Sequence, residues 1–223
     1  MSTFNLSAPS RANRAAVLSY GVFCYVGHWV ALLYTMGFLI NLGVPKGIDA
    51  GEPGPLGLAL VTDVGLVGLF AVAHWIMARD KFKSWWTQFV PPPVERSTYV
   101  LVTSALLALL FYTWMPIPNV IWTFEHPSVR LLLIVIYAAG WLLAIYATFP
   151  INHWELFGLR QTWLYFKGMP HTEAPGYHSI VYRLIPHPIF FGYLIAIWVT
   201  PTMTVGHLAL ALILSALIYV AWR

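Results

Sequence analysis

The sequence predicts an all-α integral membrane protein with about five transmembrane helical elements, the last a proline-broken helix-turn-helix hairpin. Three observations lead there. Of the 223 residues, 59% are hydrophobic and only 9% charged, where soluble domains carry roughly 25% charge. The apolar residues come in blocks near the roughly 20 residues that a helix needs to cross the hydrocarbon core. The cations sit in the short joints between those blocks, so the net charge of +4 marks membrane topology and no nucleic-acid surface.

The first block, 17–41, is followed by a Gly/Pro-rich loop holding Lys46, Asp49 and Glu52. The second, 55–78, is closed by Arg79-Asp80-Lys81-Phe82-Lys83. A stop at Pro91-Pro92-Pro93, then Glu95-Arg96, precedes the third, 97–115, and the fourth covers 129–149. The final block differs. Residues 189–200 give only about 18 Å of helix, Pro201-Thr202-Met203-Thr204 interrupts it, and 206–222 is longer. Either one kinked span or a hairpin fits; the turn and capping chemistry of Thr-Pro-Thr favours the hairpin.

Counting cations orients the chain. Arg11, Arg14, Arg79, Lys81, Lys83, Arg96, Arg160, Lys167 and Arg183 fall on one side, Lys46 and Arg130 on the other. The positive-inside rule makes the first side cytoplasmic, as expected for a bacterial inner-membrane protein, and a hairpin returns Arg223 to it. Residues 1–16 are polar, so no cleavable signal peptide is expected. The single cysteine, Cys24, excludes a disulfide framework and a cysteine zinc site, and no metal site is expected. Residues 1–223 read as one transmembrane domain, with loop 151–188 and hairpin 189–222 forming its site.

Chemistry concentrates in 177–192. His187 lies between Pro186 and Pro188, which present its imidazole from a rigid, extended stretch just before a helix. The free N–H groups at that helix start, with Arg183 four residues earlier, suit a carboxylate. His28, mid-span in the first block, reads as a helix-packing hydrogen bonder, and Asp63 as structurally paired.

Tyr182-Arg183-Leu184-Ile185-Pro186-His187-Pro188 with Gly192 resembles the Tyr-Arg-x-Val-Arg-His-Pro-x-Tyr-x-Gly signature of isoprenylcysteine carboxyl methyltransferase-like membrane enzymes, although Pro186 replaces the motif arginine and Phe190 its tyrosine. The family pattern also has a Glu-Glu pair soon after the second hairpin helix. The sequence to Arg223 holds none there, so that contact is expected to lie beyond Arg223 or to be missing. Further stretches narrow the resemblance. His74-Trp75-Ile76-Met77-Ala78-Arg79-Asp80-Lys81-Phe82-Lys83 with Glu95-Arg96-Ser97-Thr98-Tyr99-Val100-Leu101 is similar to the branch that holds the methanethiol S-methyltransferases and denitrification-associated membrane proteins. Asn152-His153-Trp154-Glu155-Leu156-Phe157-Gly158-Leu159-Arg160-Gln161 and Thr200-Pro201-Thr202-Met203-Thr204 resemble the methanethiol S-methyltransferases specifically.

The resemblance implies a membrane enzyme that uses S-adenosyl-L-methionine to methylate a small thiol, methanethiol, to dimethyl sulfide. It implies cofactor contacts from Tyr177, Tyr182, Arg183, His187, Pro188, Gly192 and Tyr193, and substrate contacts from Trp154, Phe157 and Arg160. His74 and His153 are the candidate bases, and Arg79, one turn beyond His74, is the candidate partner of a thiolate. Chemically, a dry pocket lined by aromatic faces holds a sulfonium by cation–π attraction and favours its collapse with an anionic sulfur into neutral sulfides. Two alternatives stand beside this one: methylation of a lipid-attached carboxylate or another thiol, and a b-type haem protein using histidines as axial ligands.

Overall fold

A computed structural model describes residues 10–172, 174, 176–177 and 179–222. The helices are α1 (Arg11–Ile40), α2 (Leu56–Met77), α3 (Asp80–Trp86), α4 (Pro92–Thr113), α5 (Pro127–Tyr146), α6 (His153–Leu156), α7 (Leu159–Lys167), α8 (Ile180–Leu184), α9 (Pro188–Trp198) and α10 (Val205–Trp222); two short strands are β1 (Val120–Thr123) and β2 (Thr202–Thr204). Among the described residues, five helices are long and apolar enough to cross a membrane: α1, α2, α4, α5 and α10. With α9 as a shorter apolar helix, the chain is an integral membrane helix bundle, as its hydropathy predicts.

Two span boundaries differ from the sequence reading, each for a local reason. Pro91-Pro92-Pro93 does not stop the chain ahead of a span at 97; it begins α4. Pro91 is the N-cap and Pro92 and Pro93 fill the first turn, where a missing N–H costs nothing. Helix α1 begins at Arg11, capped by Ser10, whose hydroxyl accepts from Asn13 N at 3.2 Å. Its early turns pack on α7, where Gly21 leaves room for Thr162: a Cβ on Gly21 would sit 2.4 Å from the threonine Oγ1. Tertiary contact thus extends the helix past its apolar run.

The hairpin is present. His187, ahead of α9, lies 5.1 Å ring to ring from Trp222 at the end of α10, while His207 near the start of α10 bonds Ile197 O at 2.9 Å. Helix α9 packs on α5 at close range, since Gly192 meets Gly140 O and Ala144 there, and a Cβ on Gly192 would lie 2.6 Å from Gly140 O. Small residues let the two backbones approach. The turn between α9 and α10 runs as β2, antiparallel to β1, with Thr123 opposite Thr202 and a bulge between Val120 and Trp122. Thr204, rather than Thr202, caps α10, accepting from His207 N at 3.2 Å.

The ribbon closes one end of the bundle, here the far end. There Asp49 accepts from Asn41 Nδ2 at 2.8 Å and Thr204 Oγ1 at 2.6 Å, and buried Trp114 donates its indole N–H to Ile48 O at 2.8 Å. Asp63 accepts from Met115 N at 2.9 Å, a structural pairing with backbone. The other end, the basic end, carries α3, α6, α7 and α8. Arg223 and residues 1–9, used in the orientation and signal-peptide readings, lie outside the described residues.

Candidate active site

A cavity of about 470 Å³ runs between α1, α2, α4, α5, α9 and α10. Its far end is floored by Phe38, Leu39 and Phe111, and it reaches the basic end at Ala78, Arg79, Phe190 and Ala221. The size lies within the usual range for small-molecule sites, about 300–1,000 Å³. Most of its wall is apolar. The polar groups on it are few: His28, His74, Arg79, Tyr193 and the hydroxyls of Thr35, Thr103 and Ser104. Those three hydroxyls already donate to carbonyls of their own helices. Among the described residues no Asp or Glu lines the cavity.

Four residues of one α2 stripe, Val67, Phe70, His74 and Ala78, face the cavity together, as residues three and four apart on a helix must. His74 stacks on Phe70 with ring centroids 5.6 Å apart, and the Tyr99 hydroxyl lies 3.0 Å from both ring nitrogens of its imidazole. One hydroxyl can bond only one of those nitrogens at a time, so the other is left for the cavity. Arg79 follows at the mouth, its guanidinium 4.2 Å above the Trp75 ring.

His28 shares this cavity with His74. His28 reads from sequence as a helix-packing hydrogen bonder, and the structure also sets it on the cavity wall, because α1 reaches back to Arg11 and the middle of this 30-residue helix falls level with the end of α2. Among the described residues His28 makes no hydrogen bond and stacks on Phe157 at 4.3 Å. A signal for it existed in the sequence. Tyr25, His28 and Trp29 form an i, i+3, i+4 aromatic stripe, which here meets the 152–158 turn.

His153 lies behind the cavity wall, buried. Its Nδ1 is 2.6 Å from Thr148 Oγ1 and its Nε2 2.8 Å from Tyr25 Oη. Thr148 spends its one hydroxyl hydrogen on Ile145 O at 2.6 Å, so its oxygen accepts from Nδ1–H, and Tyr25 donates to Nε2. Both ring nitrogens are therefore engaged. Phe149 stacks on the imidazole at 4.5 Å, and burial pushes its pKa down, keeping it neutral.

The remaining site expectations separate in space. Trp154 is half exposed, and Phe157 sits between His28 and His153. Arg160 is engaged in a clasp: it pairs with Glu155 at 3.4 Å and donates to the Thr172 carbonyl and hydroxyl, while His171 and Ala174 N also bond Glu155. Gly158, left-handed at φ 84°, lets this block press on Ser97, where a Cβ would lie 2.6 Å from Ser97 N. Tyr177, Tyr182 and Arg183 line a second, smaller recess of about 280 Å³ with Pro150, Ile151, Gly176 and Ser179. Tyr182 donates to Ala147 O at 2.8 Å, and burial raises its pKa, so it stays a neutral phenol.

His187 is not extended. It is left-handed, at φ 49° and ψ 58°, and stacks on Phe190 at 5.8 Å. The clash of a proline ring with the residue before it disfavours right-handed helix at His187, and the start of α9 needs a sharp reversal; the left-handed basin, which histidine visits more readily than most residues, meets both demands. Pro188 is the buried first residue of α9, and Gly192 serves the α5–α9 contact already described.

The chain is 42% identical to the methanethiol S-methyltransferase of Crocosphaera subtropica over 209 residues, 94% of this chain and 82% of that protein. It is 44% identical to the methanethiol S-methyltransferase of Mycobacterium tuberculosis over 208 residues, 93% of this chain and 85% of that protein. At greater distance it is 28% identical to nurim of Bos taurus over 211 residues, 89% of this chain and 80% of that protein. No protein-family model and no solved structure matches.

Proposed function

The chain belongs to the methanethiol S-methyltransferase family and is an integral membrane methyltransferase, and from that premise we propose that it methylates methanethiol to dimethyl sulfide, with S-adenosyl-L-methionine as methyl donor, in the cavity that holds His28, His74 and Arg79. The observation that carries this reading is the cavity's wall: two imidazoles and one guanidinium set among apolar and aromatic side chains, with no carboxylate among the described lining residues.

That wall fits the donor. Aromatic faces at Trp75, Phe190 and Tyr193 suit a sulfonium, and a carboxylate on the wall would instead hold it by charge. The recess at Tyr177, Tyr182 and Arg183 offers the Tyr177 phenol and a cation to the polar, carboxylate-bearing end, with Tyr182 held to Ala147 O beside them. The donor supplies an electrophilic methyl group on sulfur; the chain supplies everything else. A thiol is mostly protonated at neutral pH, since a free cysteine thiol titrates near about 8.5. His74 accepts that proton through the ring nitrogen not bonded to Tyr99. Arg79 faces the resulting anion, and the apolar wall excludes the water that would shield it. His28 lies across the cavity as the second imidazole.

His153, with both nitrogens bonded, holds the 152–158 turn against α1 and stands one layer behind this chemistry. The cation distribution supports a cytoplasmic basic end, so donor and thiol would enter from the cytoplasm. None of the named relatives points to haem or to a lipid-attached acceptor. Purified protein in lipid, given S-adenosyl-L-methionine and methanethiol, is expected to form dimethyl sulfide and S-adenosyl-L-homocysteine in equal amounts by gas and liquid chromatography. Absence of both products from folded protein would contradict the reading.

A further inference from the structure

A partly buried cation that lines neither pocket links the two histidine-bearing walls. The Arg96 guanidinium sits 4.6 Å above the Tyr99 ring, and its Nε donates to Leu156 O at 2.5 Å. Each contact leads to a different imidazole. Tyr99 Oη reaches His74 at 3.0 Å, while Leu156 precedes Phe157, whose ring stacks on His28 at 4.3 Å. Arg96 and Tyr99 share a face of α4 because they are three residues apart. The 152–158 turn also meets α4 at Ser97, whose hydroxyl donates to Gly158 O at 3.2 Å.

We infer that Arg96 is a positioning residue that fixes both cavity histidines at once, holding His74 through Tyr99 and His28 through the Leu156-Phe157 turn. This rests on the proposed role of His74 as proton acceptor. Arg96 touches neither cavity nor reactants. Its planar guanidinium is the reason a lysine cannot replace it: a stacked face and an in-plane N–H are used together, and an ammonium offers only one point charge. Tyr99 sets the base by accepting an imidazole N–H, which leaves the opposite nitrogen bare. Where Tyr99 or Arg96 shifts, the imidazole stays in the cavity but loses its fixed tautomer and aim.

The test uses Y99F, which removes one oxygen and keeps the ring, and R96K, which keeps the charge. Turnover is measured from about pH 7 to about pH 10, and affinity for S-adenosyl-L-methionine by calorimetry. The other titratable or charged groups on the cavity are His28 from α1, Arg79 from the joint between α2 and α3, and Tyr193 from α9, and none of them is altered. Both variants are expected to lose about 10- to 100-fold in kcat near pH 7, with donor affinity unchanged. The deficit is expected to shrink as pH rises towards the pKa of the thiol itself, which lies above the free-cysteine value of about 8.5. A deficit constant across pH, an unchanged kcat, or a loss of donor affinity would each overturn the inference, and if R96K fails to fold, Y99F alone decides. Failure of the reading beneath it looks different: the parent protein would make no dimethyl sulfide, or H74A would turn over like the parent.

Discussion

The two ends of the bundle use their polar side chains in opposite ways. At the far end most polar groups are consumed in closing the structure: Asn41 and Thr204 on Asp49, Thr123 on Thr202, Trp114 on Ile48 O, Met115 N on Asp63, while Asp63 Oδ2 and His207 Nδ1 are buried there without a partner among the described residues. At the basic end the polar groups come in two layers. The outer layer, Glu155, Arg160, His171, His153 and Arg96, is bonded like the far end. The inner layer, His28, His74 and Arg79, faces the cavity with bonding capacity to spare. A closed polar network costs little and stabilises; an open one inside a membrane is expensive, and it persists where a ligand completes it. On the proposed function, the difference puts chemistry at one end and architecture at the other.

Substitutions sharpen or break this contrast. The largest effect is expected at His74: H74A should lower kcat about 10²- to 10⁴-fold with the thermal midpoint nearly unchanged, measured by product formation and by unfolding in lipid. Next comes H153A. It leaves Tyr25 and Thr148 without their partner and opens a void among Phe149, Trp29 and Phe157, so it should cost about 2–4 kcal/mol of stability, read as a lower melting temperature. If H153A instead kept its stability and lost turnover, the division into layers would fail.

A smaller effect is expected at the far end. D49A removes the acceptor of Asn41 and Thr204 and should cost about 1–3 kcal/mol, while kcat below the melting transition stays as in the parent. The smallest effect is in pH. Burial lowers the His153 pKa in the fold, so its neutral form is favoured there. Its contribution to stability is complete above the unfolded value of about 6.5 and is lost as pH falls through the lower folded value. The melting temperature should drop on acidification below about pH 6.5, and less steeply in H153Q, which cannot titrate.

Much of the fold was legible because a bilayer punishes any other arrangement of such apolar blocks. The four long spans and the hairpin follow from hydropathy and from Pro201 alone. The β1–β2 ribbon was not legible: strands of four and three residues, paired across some eighty positions, leave no local periodicity. Of the candidate site, His74 and Arg79 could be read from a histidine and a cation closing one apolar helix, and both line the cavity. His28 could be read only as part of the stripe of Tyr25, His28 and Trp29, since its place on the cavity rests on how far α1 extends, which packing of Gly21 on Thr162 decides. Arg160 stood out in its motif for the same reason that Glu155 did, and the two are paired with each other. The His187 motif gave the turn into α9, but its left-handed backbone comes from Pro188 and the sharp reversal into α9 acting together.

The central claim, that reaction takes place in the cavity between the two histidine walls, is tested most directly by plugging it. In a C24S background, S104C places a thiol on the cavity wall in a side chain of nearly the same shape. Labelling it with benzyl methanethiosulfonate, confirmed by intact mass, should abolish dimethyl sulfide formation, and methanethiol with S-adenosyl-L-methionine should slow the labelling. Stoichiometric labelling with turnover intact would contradict the account.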